Sequence, residues 1–459
     1  VRIGNVQFWK TQCRPNRRKP YQVRWVVDGK TFSASYLTST LAEHFRNQLI
    51  AAARAGEHFD VDNEGLPASL RPKPKAMTWY ELGRVHTAMK WPEAAGNSRR
   101  NLVSGHVKIT LALLSDRSGA PSERRLRDAL RHWAFRPLQG REVPEEQAGV
   151  LEWVAERSRP VTDLLDLDAL RALLHSLGTK DNGTPAKAST AARYRAVLTS
   201  ALNYAVERGE LEYNPVERLA WRPVTVTRQV DPRVVASPRQ VRELLTAVTY
   251  VGVWDKQRGP RLLAFFACLY FAALRPEEAV QLRLQDCKLP EAGPGLIQLS
   301  AATTRAGSAW TDDGSKHETR GLKHRATDDG RDVPIPPELV RILQWHIATF
   351  GTADDGRLFP GPHGQALDST RYLDTWHKAR RLALPPHLYN SPLAKRPYDL
   401  RHAALSLWLN SGVPAPDVAQ RAGNTVSVLL QTYARCIYGQ EDANTQRIID
   451  ALGDGGSPI

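Results

Sequence analysis

Cysteine is scarce in this sequence. Four residues, Cys13, Cys268, Cys287 and Cys436, are scattered over 459 positions. None forms a Cys-x-x-Cys pair and none joins histidines at zinc spacing, so no metal site is expected. Cys268 lies inside "LLAFFACLYFAAL" and reads as a small core residue. Long apolar runs are lacking too. The longest, from Leu262 to Leu274, has 13 residues, whereas a membrane span needs about 20. No signal peptide opens the chain. The expectation is a reducing, cytoplasmic setting with no membrane partner and no cofactor. The sequence shows no internal repeat. It begins at Val1 rather than Met, which reads as an alternative start or a fragment.

What is abundant is positive charge. Lys and Arg number 63 against 48 Asp and Glu, a net charge of +15, with a pI near 9.8. Such an excess on a folded chain favours a polyanionic partner, nucleic acid first, over the plainer reading of a basic proteome. The length suggests about three domains at roughly 150 residues each. A hydrophobic fraction of 42% is enough for real cores.

The N-terminal region, residues 1–66, reads as strands followed by a helix. "YQVRWVVDGKTFSASYL" alternates, and Asp28-Gly29 is a two-residue hairpin signal. A helix from about Thr40 places Leu41, Phe45 and Leu49 on one face. Before the hairpin, Lys10, Arg14, Arg17, Arg18 and Lys19 crowd one loop. They suit a DNA groove or a solvated loop equally. The stretch "GEHFDVDNEGLPASLRPKPK" has no periodicity and reads as a linker, which is placed at residues 67–76 between the first two domains.

Residues 77–222 carry a helical pattern. "SRRNLVSGHVKITLALLS", with Arg99 and Arg100, and "SERRLRDALRHWAF" are amphipathic and basic. The clearest helix is "ASTAARYRAVLTSALNYAVERGEL", with Ser189 as its expected N-cap and Gly209 as its end. Lys187, Arg193 and Arg195 lie near its start, against the helix dipole. That placement fits either an external anion or a solvated face. A second linker, 223–236, precedes the last domain, 237–450. Ser237, Pro238 and Gln240 open that domain with a capping box. Strands are expected in "GLIQLSAA" and "RDVPIP", helices from Pro337 onward, and disorder over 451–459. The whole reads as mainly α with small β-sheets, an α+β chain.

Three stretches of the last domain carry chemistry. In "AALRPEEAVQLRLQDC", Arg275 stands where a new helix starts, a position that favours an anion. In "RGLKHRATDDGRDVPIP", Lys323 precedes a short strand and suits a hairpin tip. In "RPYDLRHAALSLWLNSGVPAPDVAQRAGNTVSVLLQTYARC", Arg401 and Tyr433 sit on successive apolar-periodic helices, with Asn424 between them. Each alone reads as a surface charge or a core tyrosine.

In this order the three stretches resemble the catalytic domain of the tyrosine recombinases, the phage-integrase family. "ALRPEEAVQL" resembles the first arginine box, with Arg275 and the acidic Glu278. Lys323 matches the family's hairpin lysine. "YDLRHA" resembles the second arginine box, with Arg401, and "AGNTVSVLLQTYARC" the box that ends in the tyrosine, Tyr433. The resemblance, close to actinobacterial-type integrases, is strongest over 233–445. It implies a helical core-binding domain over 77–222 and an arm-type DNA-binding domain over 1–66.

It also implies a site-specific recombinase that cleaves and rejoins duplex DNA through a 3′-phosphotyrosine, integrating or excising a mobile element. Two guanidiniums would hold the phosphate, Tyr433 would attack phosphorus, and Lys323 would protonate the leaving 5′-oxygen. The implied partners are double-stranded attachment sites, three further copies in a homo-tetramer, an excisionase and a host DNA-bending factor. The implied location is the nucleoid.

The sequence departs from the family pattern twice. Tyr398 stands where histidine is usual, and a phenol is a poor base near neutral pH. Asn424 stands where histidine or tryptophan is usual, and can donate an N–H but no charge. His402 follows Arg401 directly on a helix, about 100° around it, and is read only as a supporting residue. The alternatives are a weakened or inactive DNA-binding homologue, a type IB-like topoisomerase and a helical transcription regulator.

Overall fold

The computed structural model describes residues 2–3, 5–71, 76–220, 229–252, 254, 257–322, 330–437 and 441–452. The chain divides into two compact units. One is Val1–Thr78 with Pro160–Asp163, and the other is Trp79–Arg159 with Leu164–Ile459.

The first unit is a small antiparallel sheet under one helix. Its strands are β1 (Arg2–Ile3), β2 (Val6–Phe8), β3 (Gln12–Cys13), β4 (Tyr21–Val27) and β5 (Lys30–Tyr36). Strand β4 lies centrally, paired with β2, β3 and β5. Its period-2 alternation buries Val23, Trp25 and Val27. Asp28 and Gly29 both take positive φ, 46° and 83°, as a tight hairpin turn requires. Helix α1 (Ser39–Arg54) is capped by the Thr38 hydroxyl, which accepts the Leu41 N–H. Its inward face is Ala42, Leu49, Ile50 and Ala52, and Leu41 is exposed, contrary to expectation.

The expected linker starts later than its composition suggests. Residues 57–71 fold back as β6 (Phe59–Asp60) and β7 (Leu66–Pro67). Phe59 and Leu66 enter the core of this unit. The Trp25 indole N–H donates to the Gly65 carbonyl at 2.7 Å. Tertiary contacts, not periodicity, order this stretch.

The second unit begins with α2 (Trp79–Lys90), α3 (Gly96–Ala112), α4 (Glu123–Ala129), α5 (Glu145–Arg157), α6 (Leu167–Leu177), α7 (Ala188–Glu207) and α8 (Pro215–Arg218). In α7, Leu198, Ala201, Leu202 and Ala205 face the core, and Gly209 follows the helix with φ +75°. Ser189 does not cap it. The helix starts two residues earlier than such a cap would set it, at Ala188, and its N-cap position is Lys187, without a side-chain bond.

The C-terminal part of this unit packs around α10 (Pro260–Phe271), which is buried on almost every side. Helix α9 (Pro238–Thr249) precedes it, with both bonds of the Ser237–Gln240 capping box formed. Helix α11 (Pro276–Gln281) follows. Strands β8 (Cys287–Lys288), β9 (Gly295–Leu299) and β12 (Arg331–Ile335) form a three-stranded antiparallel sheet with β9 in the middle. Between β9 and β12, β10 (Ala301–Arg305) and β11 (His317–Gly321) form a separate hairpin. Strand β11 lies between the two strands expected from the sequence pattern and was not itself expected. Helices α12 (Pro337–Phe350), α13 (Ser369–Ala383), α14 (Pro386–Tyr389), α15 (Asp399–Asn410), α16 (Ala415–Ala422), α17 (Val426–Tyr433) and α18 (Glu441–Leu452) complete the chain.

The expected second linker lies outside the described residues over 223–228. Beyond them Val230 is buried, and its N–H donates to the Thr432 carbonyl at 2.8 Å. The expected disordered tail lies outside the described residues from 453 onward.

Candidate active site

The site is built on two chain reversals. The first follows α10. Ala273 takes φ +48°, a left-handed conformation that costs a non-glycine residue about 1 kcal/mol or more. This turn sets Arg275 at the N-cap of α11 and aims the Ala273 carbonyl at Arg401, whose Nη1 donates to it. Glu278, one turn into α11, accepts the Arg275 backbone N–H at 2.8 Å and Arg275 Nη1 at 2.8 Å.

The second reversal is the end of α16. Gly423 takes the left-handed C′ position with φ +61°. A Cβ there would clash with the Arg331 guanidinium, so glycine is required twice over. The last carbonyls of α16 point at arginines. Ala422 accepts from Arg331 Nη1 at 3.1 Å and Arg401 Nη2 at 2.6 Å. Gly423 accepts from Arg275 Nη2 at 2.9 Å. Cations at a helix C-terminus satisfy carbonyls that have no partner within the helix.

Glu278 ties these cations together. It is 2% exposed and receives Arg331 Nη2 at 2.7 Å, with Arg401 Nη1 4.0 Å away. Its desolvation would raise its pKa, but Arg331, Arg401 and Arg275 hold it down to about 2. Three guanidiniums thus surround one carboxylate. Net positive charge in so buried a place is costly unless an anion joins it. Of the three, Arg275 keeps the most solvent access, with a side chain 22% exposed. Arg401 is 1% exposed. Burial and Arg275 lower its pKa while Glu278 opposes them, and it remains a cation.

This second reversal also joins α16 to α17. The Thr425 hydroxyl caps α17 by accepting the Val428 N–H. Asn424 is half-buried, and its Oδ1 accepts from Arg275 Nη2 at 2.9 Å. Its oxygen therefore serves the arginine, which leaves the amide N–H groups as donors. Tyr433 ends α17 and is 2% exposed. Its hydroxyl lies 2.8 Å from His402 Nδ1. Burial raises the Tyr433 pKa well above its ordinary value, although Arg401 and Arg275 pull the other way. Tyr398, half-buried at the start of α15, sets its ring against His402 with centroids 5.1 Å apart.

Arg275, Glu278, Tyr398, Arg401, His402, Asn424 and Tyr433 are thus brought together. Lys323 lies outside the described residues. Arg331 was missed, yet its signal was present: it shares the period-2 inward face of Val333 and Ile335 in β12. His402, expected as a supporting residue, meets Tyr433 across 31 positions, a contact that its place on α15 alone does not reveal.

The cations expected on DNA divide. Lys10, Arg17, Arg18, Lys19, Arg100, Lys187 and Arg193 are exposed, and Arg14 and Arg195 are half-buried. Arg193 bonds Asn101 and Thr190. Arg99 is a correction. It is 1% exposed, donates to the Trp91 and Trp310 carbonyls, and pairs with Asp312 at 2.6 and 3.1 Å. It faces the interior side of α3, where the tip of the β10–β11 hairpin covers it.

Among solved structures, the chain resembles the Tn1549 transposon integrase in complex with transposon right-end DNA. The TM-score is 0.53 at 16% identity, over 82% of this chain and 99% of that one. A lambda integrase dimer bound to a COC′ core site matches over 98% and 97%, with TM-score 0.45 and 14% identity. XerH site-specific recombinase bound to its difH substrate matches over 79% and 97%, with TM-score 0.42 and 13% identity. No protein-family model matches the chain, and no curated protein does. The first likeness shows that the chain shares the fold of that integrase, mainly α with small antiparallel sheets.

Proposed function

We propose that this chain is a site-specific DNA recombinase that cleaves and rejoins duplex DNA through Tyr433. The observation that carries the reading is the buried arrangement of Arg275, Arg331 and Arg401 around the single carboxylate Glu278, with Tyr433 beside it. A phosphodiester supplies the anion that such a cluster favours. Arg275 and Arg401 would bind its non-bridging oxygens and the charge that grows on them as phosphorus becomes pentacoordinate. Glu278 and the α16 carbonyls hold the two guanidiniums in place, so little reorganisation accompanies the reaction. Asn424 would add a neutral donor.

Tyr433 would displace the 5′-oxygen and keep the bond energy as a 3′-phosphotyrosine, which a second DNA end can reclaim without ATP or metal. Lys323 is the proposed general acid. The wider assembly is proposed with it: a first domain on arm-type sites, a helical core-binding domain, and a catalytic domain, acting as a tetramer with accessory DNA-bending and directionality factors. The element moved would be a mobile one.

A second reading, a homologue with little strand transfer, draws support from the burial of Tyr433 and Arg401 and from the neutral Asn424. One experiment separates the two. A library of nicked duplexes with randomised cores is incubated with the full chain, and covalent adducts are captured after SDS. Wild type is expected to form adducts on a defined core, and Tyr433→Phe to bind that core without adduct. No adduct from wild type favours the second reading. Adducts from Tyr433→Phe remove Tyr433 from the role. Relaxation of supercoiled DNA without strand exchange would mark a topoisomerase.

A further inference from the structure

A phenol that attacks phosphorus must lose its proton as the new bond forms. Burial keeps Tyr433 protonated at neutral pH, so an acceptor within hydrogen-bond reach is needed. We propose that His402 is that acceptor, taking the Tyr433 proton on Nδ1. The proposal rests on the reading of Tyr433 as nucleophile and names the catalytic base for it.

The geometry is direct. Nδ1 stands 2.8 Å from the Tyr433 hydroxyl, and the two rings are tilted with centroids 5.7 Å apart. The charged and titratable groups around His402 are Tyr433 on α17, Tyr398 and Arg401 on its own helix, and Arg396 just before it. Burial, then Arg396 and Arg401, hold its pKa down to about 4. At neutral pH the imidazole is therefore uncharged and one ring nitrogen offers a lone pair. With the proton on Nε2, Nδ1 accepts the Tyr433 O–H. Tyr398 cannot substitute, because a phenol is no base at this pH.

The step balances. The Tyr433 O–H bond breaks and its proton moves to Nδ1. The phenolic oxygen bonds to phosphorus and the bond from phosphorus to the 5′-oxygen breaks. The leaving oxygen takes a proton from the general acid, for which Lys323 is proposed. On rejoining, a 5′-hydroxyl attacks the phosphotyrosine and gives its proton to that acid, and His402 returns its proton to Tyr433. The two pKa values are far apart in the free protein, so transfer must accompany attack. A phosphate against Arg401 offsets that cation's charge and strengthens His402 as a base. Tyr433 is then activated only with DNA in place.

The test is single-turnover adduct formation by the full chain on a suicide duplex from pH 3.5 to 8. Wild type should lose rate on the acid side. His402→Ala should be about 10²–10⁴-fold slower, lack that acid limb, and recover in part with added imidazole. His402→Asn keeps a hydrogen-bonding group near Nδ1 but cannot take a proton, and should remain as slow. His402→Asn at the wild-type rate would reduce the residue to a positioning hydrogen bond and overturn the proposal, as would an unimpaired His402→Ala. A Tyr433→Phe control that still forms adduct would instead overturn the nucleophile itself. Gel-shift binding of each variant checks folding, and if His402→Ala fails it, His402→Asn decides.

Discussion

At the scale of single residues, Glu278 organises the site. It receives Arg275 and Arg331 directly and sits 4.0 Å from Arg401. Glu278→Gln removes the carboxylate that the three guanidiniums share. Breaking a buried pair from one side typically costs about 3–5 kcal/mol, and a loss of that order is expected in chemical denaturation of the variant. Its pH dependence has a definite sign. The folded-state pKa, about 2, lies below the ordinary 4.5. The stabilisation is therefore complete above about pH 4.5 and fades as pH falls toward 2. Wild type should lose this increment through that window and Glu278→Gln should not. Equal acid profiles for the two would show that Glu278 does not hold the arginines. The carboxylate itself was legible in the sequence, three residues after Arg275. The inward position of Arg331 was legible in the alternation of β12, but its partner was not, because Glu278 lies 53 positions away.

At the scale of elements, the β10–β11 hairpin joins the helical part of the second unit to the site. At its tip, Ala306 and Trp310 share a core with Tyr80, Trp91, Val103 and Val107. There Asp312 pairs with Arg99, and Glu318 accepts the Gly96 N–H at 2.8 Å. At its base, Thr303 bonds Gln281 on α11 and Thr319 on β11. Helix α11 is the helix that Arg275 caps. Asp312→Ala strands a buried guanidinium that keeps two carbonyl partners, so a loss of about 1–3 kcal/mol is expected. Limited proteolysis should then cut residues 301–321 faster. Unchanged stability and proteolysis would mean that the hairpin does not clasp α3. A charged pattern on α3 predicted Arg99 at the surface, since a helix alone cannot show which face a distant hairpin will cover.

At the scale of the whole molecule, the +15 net charge predicts DNA binding that falls steeply with salt. With roughly 6–10 phosphate contacts, affinity should drop about 10³–10⁵-fold between 50 and 200 mM salt. The structure sharpens this into a contrast between neighbours. Arg100 is exposed and Arg99 is buried. Arg100→Ala should reduce the salt slope by about 1 and leave stability unchanged. Arg99→Ala should lower the melting temperature and leave the slope of its folded fraction alone. The reverse pattern in titrations and thermal melts would return Arg99 to the DNA surface.

Much was determined by sequence alone, wherever the determinant is local. The Asp28-Gly29 turn, the Ser237–Gln240 capping box and the inward face of α7 all depend on spacings of a few residues. Backbone sterics and helix geometry act over that range. Tertiary structure decided what long side chains touch. It put Arg99 under Trp310, brought Arg331 to Glu278, ordered residues 57–71 against the first sheet, and set Tyr433 on His402 across 31 positions. A flexible polar side chain has several reachable partners, and only the packing of separate helices and strands around it selects one.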